Sequence, residues 1–307
     1  MGGATGGSAV VYNARTGEVL ALADSPPTYD PPNDYGSADP EDLGNRSISS
    51  VFEPGSTGKL FTMAAALEEG TADVDSEYDI PYEMYFDGQR IKDSHYHADE
   101  QLTLAGVLKK SSNVGTVQIA RTMSDRTRYD YLTAFGLGSL TGIGLPGESG
   151  GILRDPDSWD GRTSLTTSFG QGGYAVTALQ MVAAVGAFAN DGVRIEPTIV
   201  KGVREEDGSI RSLGEPTQTR AVSAETAATI LQLMDNDIVD GESVASVSGY
   251  AVGGKSGTAQ VSDGTYTASF IGMAPDRRSR ARRRRLPVRS GHLHLRNHGG
   301  RPRRSRT

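Results

Sequence analysis

Short apolar stretches lie near both ends of the chain, and longer apolar runs lie between them. Ser8 to Tyr12 and Glu18 to Ala23 flank Asn13-Ala14-Arg15-Thr16-Gly17, and this β-branched content around a turn-forming centre predicts a hairpin. Ser25 to Glu41 is too rich in Pro, Asp and Asn for regular structure. Glu53-Pro54-Gly55 then stops the chain, and Thr57 to Glu69 reads as a helix ending at Gly70. Its centre, Leu60 to Leu67, is apolar nearly all round, so this helix is expected to be buried rather than amphipathic. Further helices are expected over Leu102 to Lys110, Thr177 to Ala189 and Ala224 to Asp235, the last with Ser223 as N-cap and Glu225 in its first turn. Tyr250 to Val261 and Tyr266 to Met273 read as strands joined by Ser262-Asp263-Gly264-Thr265, a second hairpin. A hairpin at each end with helices between them predicts an α/β fold, with an antiparallel sheet built from both chain ends and packed against helices.

Composition adds one boundary. The 307 residues carry a formal charge of −7, but 13 of the 31 basic residues are arginines from Arg277 onward, where no acid occurs. The remaining 18 face all 38 acids, a net of −20 for residues 1–276. The break is placed at Asp276/Arg277. There is no cysteine, which removes thiol catalysis, thiolate metal sites and disulfides together. The most apolar run, Met181 to Ala189, falls far short of the roughly 20 residues needed to span a bilayer, and residues 1–25 have no basic segment followed by an apolar one.

Three short patterns carry candidate chemistry. Ser56 is the only serine with a lysine three residues later, Lys59, in a chain with six lysines. Positions i and i+3 share a helix face, which places hydroxyl and amine within mutual reach. A serine needs an adjacent base to become a good nucleophile, and a desolvated lysine beside another cation can serve near neutral pH. Ser111-Ser112-Asn113 could supply a second hydroxyl for proton relay and an amide to anchor a substrate. Lys255-Ser256-Gly257-Thr258 lies on a predicted strand after Gly253-Gly254, where a lysine and two hydroxyls could receive a carboxylate. Taken singly, these are what a surface helix, a polar cap and a solvated strand edge would also give. In this order, on helix, loop and strand, they form the Ser-x-x-Lys, Ser-x-Asn, Lys-Ser/Thr-Gly set of penicillin-binding proteins and class A β-lactamases.

Longer stretches resemble the transpeptidase domain of class B penicillin-binding proteins, the division-type peptidoglycan D,D-transpeptidases. They are Glu53-Pro54-Gly55-Ser56, Leu108 to Asn113, Ser168-Phe169-Gly170-Gln171-Gly172 and Ala268-Ser269-Phe270-Ile271-Gly272. The resemblance covers roughly residues 5–276. It implies a β-lactamase/transpeptidase-like α/β fold, with an all-helical subdomain carrying the Ser-x-x-Lys helix. It also implies that Ser56 attacks the D-alanyl-D-alanine carbonyl of a stem peptide and passes the acyl group to an amine on a neighbouring stem. Lys59 would take the serine proton, Ser111 would relay a proton to the leaving amine, and Asn113 would hold the donor. Lys255, Ser256 and Thr258, with Gly257 between them, would bind the terminal carboxylate, and the backbone N–H groups of Ser56 and Thr258 would form the oxyanion hole. β-Lactams would acylate Ser56. No metal or organic cofactor is implied, and His95-Tyr96-His97 with Asp93 and Asp99 is read as a polar loop. The expected setting is the extracytoplasmic face of the cell membrane, among peptidoglycan and cell-division membrane proteins, with no nucleic-acid partner.

The sequence departs from that family at both ends. The membrane anchor and pedestal of class B members are missing before the first strand, and the chain is expected to be truncated there. After Ala274-Pro275, where the family continues with a Val-rich strand, a Tyr-Gly turn and a final helix, Arg277 to Thr307 follows. A basic arm for nucleic acid or anionic lipid is one reading, and a shifted reading frame is another. Back-translated into GC-rich codons and read one base along, Arg280 to Arg285 gives Glu-Pro-Val-Val-Val, which favours the frameshift. The expected organisation is a transpeptidase domain over 1–276, lacking its last strand and helix, and an aberrant, disordered tail over 277–307. Loss of a strand between the two hairpins would leave backbone groups unpaired, so the chain is expected to be poorly stable and weakly active. The alternatives are a D,D-carboxypeptidase or β-lactamase-type hydrolase of the same fold, for which Glu148 and Glu205 are the glutamates on offer, and a non-enzymatic penicillin sensor.

Overall fold

A computed structural model describes residues 6–25, 44–239, 252–260, 264–274 and 290–291. The chain opens with strands β1 (Gly7–Tyr12) and β2 (Val19–Ser25), followed by the short helix α1 (Arg46–Ser49) and a 3-10 turn over Gly55–Gly58 that runs into α2 (Lys59–Glu68). Strands β3 (Glu77–Ile80), β4 (Glu83–Phe86), β5 (Gln89–Lys92) and β6 (Glu100–Thr103) lead to helices α3 (Leu104–Lys110), α4 (Asn113–Ala120) and α5 (Asp125–Ala134). After β7 (Ile152–Leu153) come α6 (Gly161–Thr167), β8 (Tyr174–Ala175) and α7 (Ala178–Ala189). The short strands β9 (Val193–Ile195), β10 (Val203–Arg204), β11 (Ile210–Arg211) and β12 (Gln218–Arg220) precede α8 (Ala224–Val239). Strands β13 (Gly253–Gln260) and β14 (Tyr266–Met273) follow, and a two-residue strand, Ser290–Gly291, pairs with β6.

Helix α2 is the centre of the core. Leu60, Phe61, Met63 and Ala64 to Ala66 are buried, and Phe61 meets Phe135 and Phe188 with ring centroids 4.9 and 6.4 Å apart. The all-round apolarity legible in the sequence is therefore spent on contacts with α4, α5 and α8. Glu68 ties the end of α2 to the start of α8. Its carboxylate accepts the N–H (2.9 Å) and hydroxyl (2.8 Å) of Ser223, while Ser223 Oγ caps α8 by accepting from Thr226 N at 3.1 Å, as its sequence position predicts.

Element boundaries move where a cap or pairing overrides the apolar pattern. Leu102 belongs to β6, paired with Tyr78 of β3. The helix starts only after Thr103, whose side chain accepts from Gly106 N as an N-cap. Helix α8 runs on to Val239. Residues 250, 251 and 261–263, at the ends of the second expected hairpin, lie outside the described residues, as do 26–43 of the Pro-rich segment.

The hairpins from the two chain ends are both antiparallel and both pack on α7. Among the described residues they form two separate two-stranded ladders rather than one continuous sheet, because no described strand runs between them. Apart from Ser290–Gly291, the arginine-rich tail lies outside the described residues. Among the described residues no helix is long and apolar enough to cross a membrane.

Candidate active site

Ser56 sits in the 3-10 turn, partly exposed, immediately before α2, and Lys59 is the first residue of α2. The turn is pressed against β13. Gly55 has φ +55, and a Cβ there would lie 2.9 Å from the Thr258 carbonyl oxygen. A Cβ at Gly257 would lie 2.6 Å from both the Pro54 carbonyl oxygen and Ser269 Oγ. Only glycines permit this approach, which brings the third motif alongside the serine.

Lys59 is fully buried, unusual for a cation. Its Nζ donates to the Ser111 carbonyl at 2.5 Å and to Asn113 Oδ1 at 2.8 Å, with a longer contact to Ser111 Oγ at 3.3 Å. Among the described residues its hydrogen bonds go to the second motif and not to Ser56. Sequence spacing predicted a direct serine–lysine pair; the chain adopts the 3-10 geometry through Ser56 and turns α-helical only at Lys59. Burial first and the nearby Lys255 second lower the Lys59 pKa, Asp93 opposes both, and the net value is about 7. The amine is thus poised to exchange a proton at neutral pH.

The second motif is a junction between two helices. Ser111 ends α3 in the left-handed region, φ 55, a conformation costly for a residue with a Cβ. That turn aims its carbonyl at Lys59. Ser112 caps α4 by accepting from Gly115 N at 2.9 Å, and Asn113 is the first residue of α4.

On β13 the alternation of a strand separates the third motif into two faces. Lys255 and Gly257 are buried, whereas Ser256 and Thr258 are exposed. The two hydroxyls can meet a ligand directly, and Lys255 contributes its charge from the opposite face, beside Lys59.

Asp93 has a place in this site that its position in the sequence did not reveal. It is buried, and one oxygen accepts the backbone N–H groups of Asn113 (2.6 Å) and Val114 (2.9 Å). The other meets His97 Nε2 at 3.1 Å. Asp93 is thus engaged with the second motif and His97 with Asp93, and Tyr96 and His95 are exposed. Among the described residues no cluster of His, Asp or Glu is arranged to hold a metal. Glu148 and Glu205 lie in other settings: Glu148 accepts from Thr141 N and Oγ1 at 2.7 and 2.6 Å, and Glu205 pairs with Arg211 at 2.6 Å on an exposed hairpin.

A family model described as the penicillin-binding protein transpeptidase domain matches residues 7–281. The chain belongs to that family. Among the relatives of this transpeptidase domain, penicillin-binding protein PbpB of Mycolicibacterium smegmatis is 39% identical over 290 residues, covering 89% of this chain and 44% of the relative. Stage V sporulation protein D of Bacillus subtilis is 36% identical over 280 residues, covering 87% of this chain and 43% of the relative. The chain therefore spans less than half the length of these curated relatives. Among solved structures, penicillin-binding protein 3 from Mycobacterium tuberculosis, complexed with aztreonam, superposes with a TM-score of 0.82 at 39% identity, over 89% of this chain and 64% of that one. The β-lactamase-like α/β architecture that the family resemblance implies is thus the architecture of the chain.

Proposed function

We propose that this chain carries the acyl-transfer chemistry of a peptidoglycan D,D-transpeptidase, with Ser56 as nucleophile. The observation that carries the reading is the buried Lys59 amine, held by Ser111 and Asn113 one turn beyond Ser56 and brought to a pKa of about 7. In its neutral form Lys59 accepts the Ser56 proton as the serine oxygen bonds to the D-alanyl carbonyl carbon. The backbone N–H groups of Ser56 and Thr258 hold the resulting oxyanion. Collapse breaks the amide bond, the leaving D-alanine nitrogen receives a proton through Ser111, and the acyl group remains as an ester on Ser56. An amine from a neighbouring stem then attacks that ester, forming the cross-link and returning the proton to the serine. Ser256 and Thr258 take the donor's terminal carboxylate, Lys255 balances its charge, and Asn113 orients the donor backbone.

The aztreonam complex of the similar penicillin-binding protein 3 supports a β-lactam as a substrate mimic here. Relatives named as probable peptidoglycan D,D-transpeptidases support a role in wall synthesis; the extracytoplasmic membrane face and membrane-bound division partners belong to the proposal on the family resemblance alone. The test is covalent labelling by a fluorescent penicillin. One label should map to Ser56, disappear in Ser56→Ala, and release slowly; rapid release would favour the hydrolase reading instead. Glu148 and Glu205 are engaged by Thr141 and Arg211, and neither has a hydrogen bond to the Ser56 turn among the described residues, which speaks against that hydrolase.

A further inference from the structure

The two-residue segment Lys92–Asp93, at the end of β5 and just beyond it, accepts two hydrogen bonds from Asn113 and one from Val114. Lys92 contributes its carbonyl, which accepts from Asn113 Nδ2 at 3.0 Å. This fixes the amide so that Oδ1 faces the Lys59 amine. Asp93 contributes one carboxylate oxygen to the Asn113 and Val114 N–H groups. The first four N–H groups of α4 are then all satisfied, since Gly115 N is taken by Ser112 Oγ at 2.9 Å and Thr116 N by the Ser112 carbonyl at 3.3 Å. A carboxylate at a helix N-terminus also meets the favourable end of the helix dipole.

We propose that Asp93 is a positioning residue of this site, one oxygen clamping the turn that presents Asn113 and its negative charge balancing the buried ammonium groups of Lys59 and Lys255. The inference rests on the transpeptidase reading for its catalytic consequence but not for its electrostatic one. The charged groups concerned come from every side. Lys59 lies on α2, Lys255 on β13, and His97 with Glu100 on the segment leading into β6, where Lys110 pairs with Glu100 at 2.5 Å. His97 meets Asp93 through Nε2 and donates from Nδ1 to the Ala98 carbonyl at 2.9 Å, while Tyr82 stands edge-on to its ring. Both ring nitrogens face acceptors, the arrangement of a protonated imidazole. Burial works against that charge, but the Ala98 and Asp93 hydrogen bonds and the Glu100 carboxylate raise the His97 pKa.

Asp93→Asn separates clamp from charge. The Asn oxygen can still accept both α4 N–H groups, and its NH2 can donate to a neutral His97. Asp93→Leu removes both. In the full chain, the acylation rate by a fluorescent penicillin is measured from pH 5 to 9. Asp93→Asn should retain more of the high-pH rate than Asp93→Leu and move the acid limb down, the direction set by loss of an opposite charge, by less than about one pH unit because His97 turns neutral with it. Asp93→Leu should lose at least tenfold at every pH. His97→Gln serves as a control, because loss of its positive charge acts in the opposite sense on Lys59.

A second readout does not need activity. With only six lysines, a chain labelled with 13C at lysine Cε lets the Lys59 titration be followed by NMR in a Ser56→Ala background. A lower Lys59 midpoint on Asp93→Asn supports the assignment even if no penicillin is bound. An unchanged midpoint, or normal acylation by Asp93→Leu, overturns it. Absence of acylation in the parent chain, with the NMR shift intact, would instead count against the transpeptidase reading alone.

Discussion

Lys59 Nζ and Asn113 Oδ1 lie 2.8 Å apart, joining the first residue of α2 to the first residue of α4. This bond couples two helix starts whose residues are 54 positions apart in the chain, and it holds the amine that lies nearest in sequence to Ser56. Removing the acceptor leaves a buried amine with one partner fewer. Asn113→Ala is therefore expected to slow acylation by roughly 10- to 100-fold, in keeping with the loss of a group that orients a general base. Stopped-flow labelling with a fluorescent penicillin measures it, and an unchanged rate would remove Asn113 from the mechanism.

The rate of acylation should itself follow the protonation of Lys59. With its pKa near 7, the neutral amine becomes dominant as pH rises through that value. The rate is expected to climb with pH through about 7 and then level off. Lys59→Arg, which cannot give up its proton, should show less than about one-hundredth of the parent rate across the range.

The same burial costs stability. The unfolded chain has an ordinary lysine with a pKa of 10.5, and the folded value is about 7. Between those two values the unfolded state binds the additional proton, so stability should rise with pH across that window, as far as Lys59 controls it. Lys59→Met should remove the desolvation cost and stabilise the fold by roughly 1–3 kcal/mol while abolishing acylation. Urea titration at pH 7 is the measurement; a Met variant less stable than the parent would show that the Ser111 and Asn113 hydrogen bonds outweigh desolvation.

A Cβ at position 257 would collide with the Pro54 carbonyl and Ser269 Oγ, each 2.6 Å away. Gly257→Ala is expected to destabilise by roughly 1–3 kcal/mol, the usual range for overpacking. It should also slow acylation by displacing Thr258 from Ser56. A variant that loses stability but labels at the parent rate would separate packing from function.

Among the described residues the two end hairpins are separate ladders, and apolar side chains stand exposed on both. Val11 of β1 is 52% exposed, and Tyr266 and Phe270 of β14 are 66% and 53% exposed. Strands with open edges lack backbone partners, so amides over 7–12 and 266–273 are expected to exchange with deuterium faster than those of α2. Purified chain is expected to label with penicillin at less than one equivalent and to melt broadly. A cooperative melt with one label per chain would show that the two ladders suffice.

Much of this protein could be read before its structure. The order Ser56/Lys59, Ser111/Asn113 and Lys255/Thr258, the buried apolar helix after Gly55 and the two hairpins are local patterns, set by residue spacing and turn chemistry. Those patterns determined the family and the groups available for catalysis. Sequence could not reveal that Lys59 bonds to Asn113, that Lys255 is buried near Lys59, or that Asp93 holds the start of α4. Asp93 stood in the sequence beside two histidines, where its type suggested only a polar loop. Each of these relationships joins segments separated by about 20 to 200 positions and depends on which side chains packing excludes from water. Spacing along the chain supplied the reactive groups, whereas burial and proximity set their charge states and their partners.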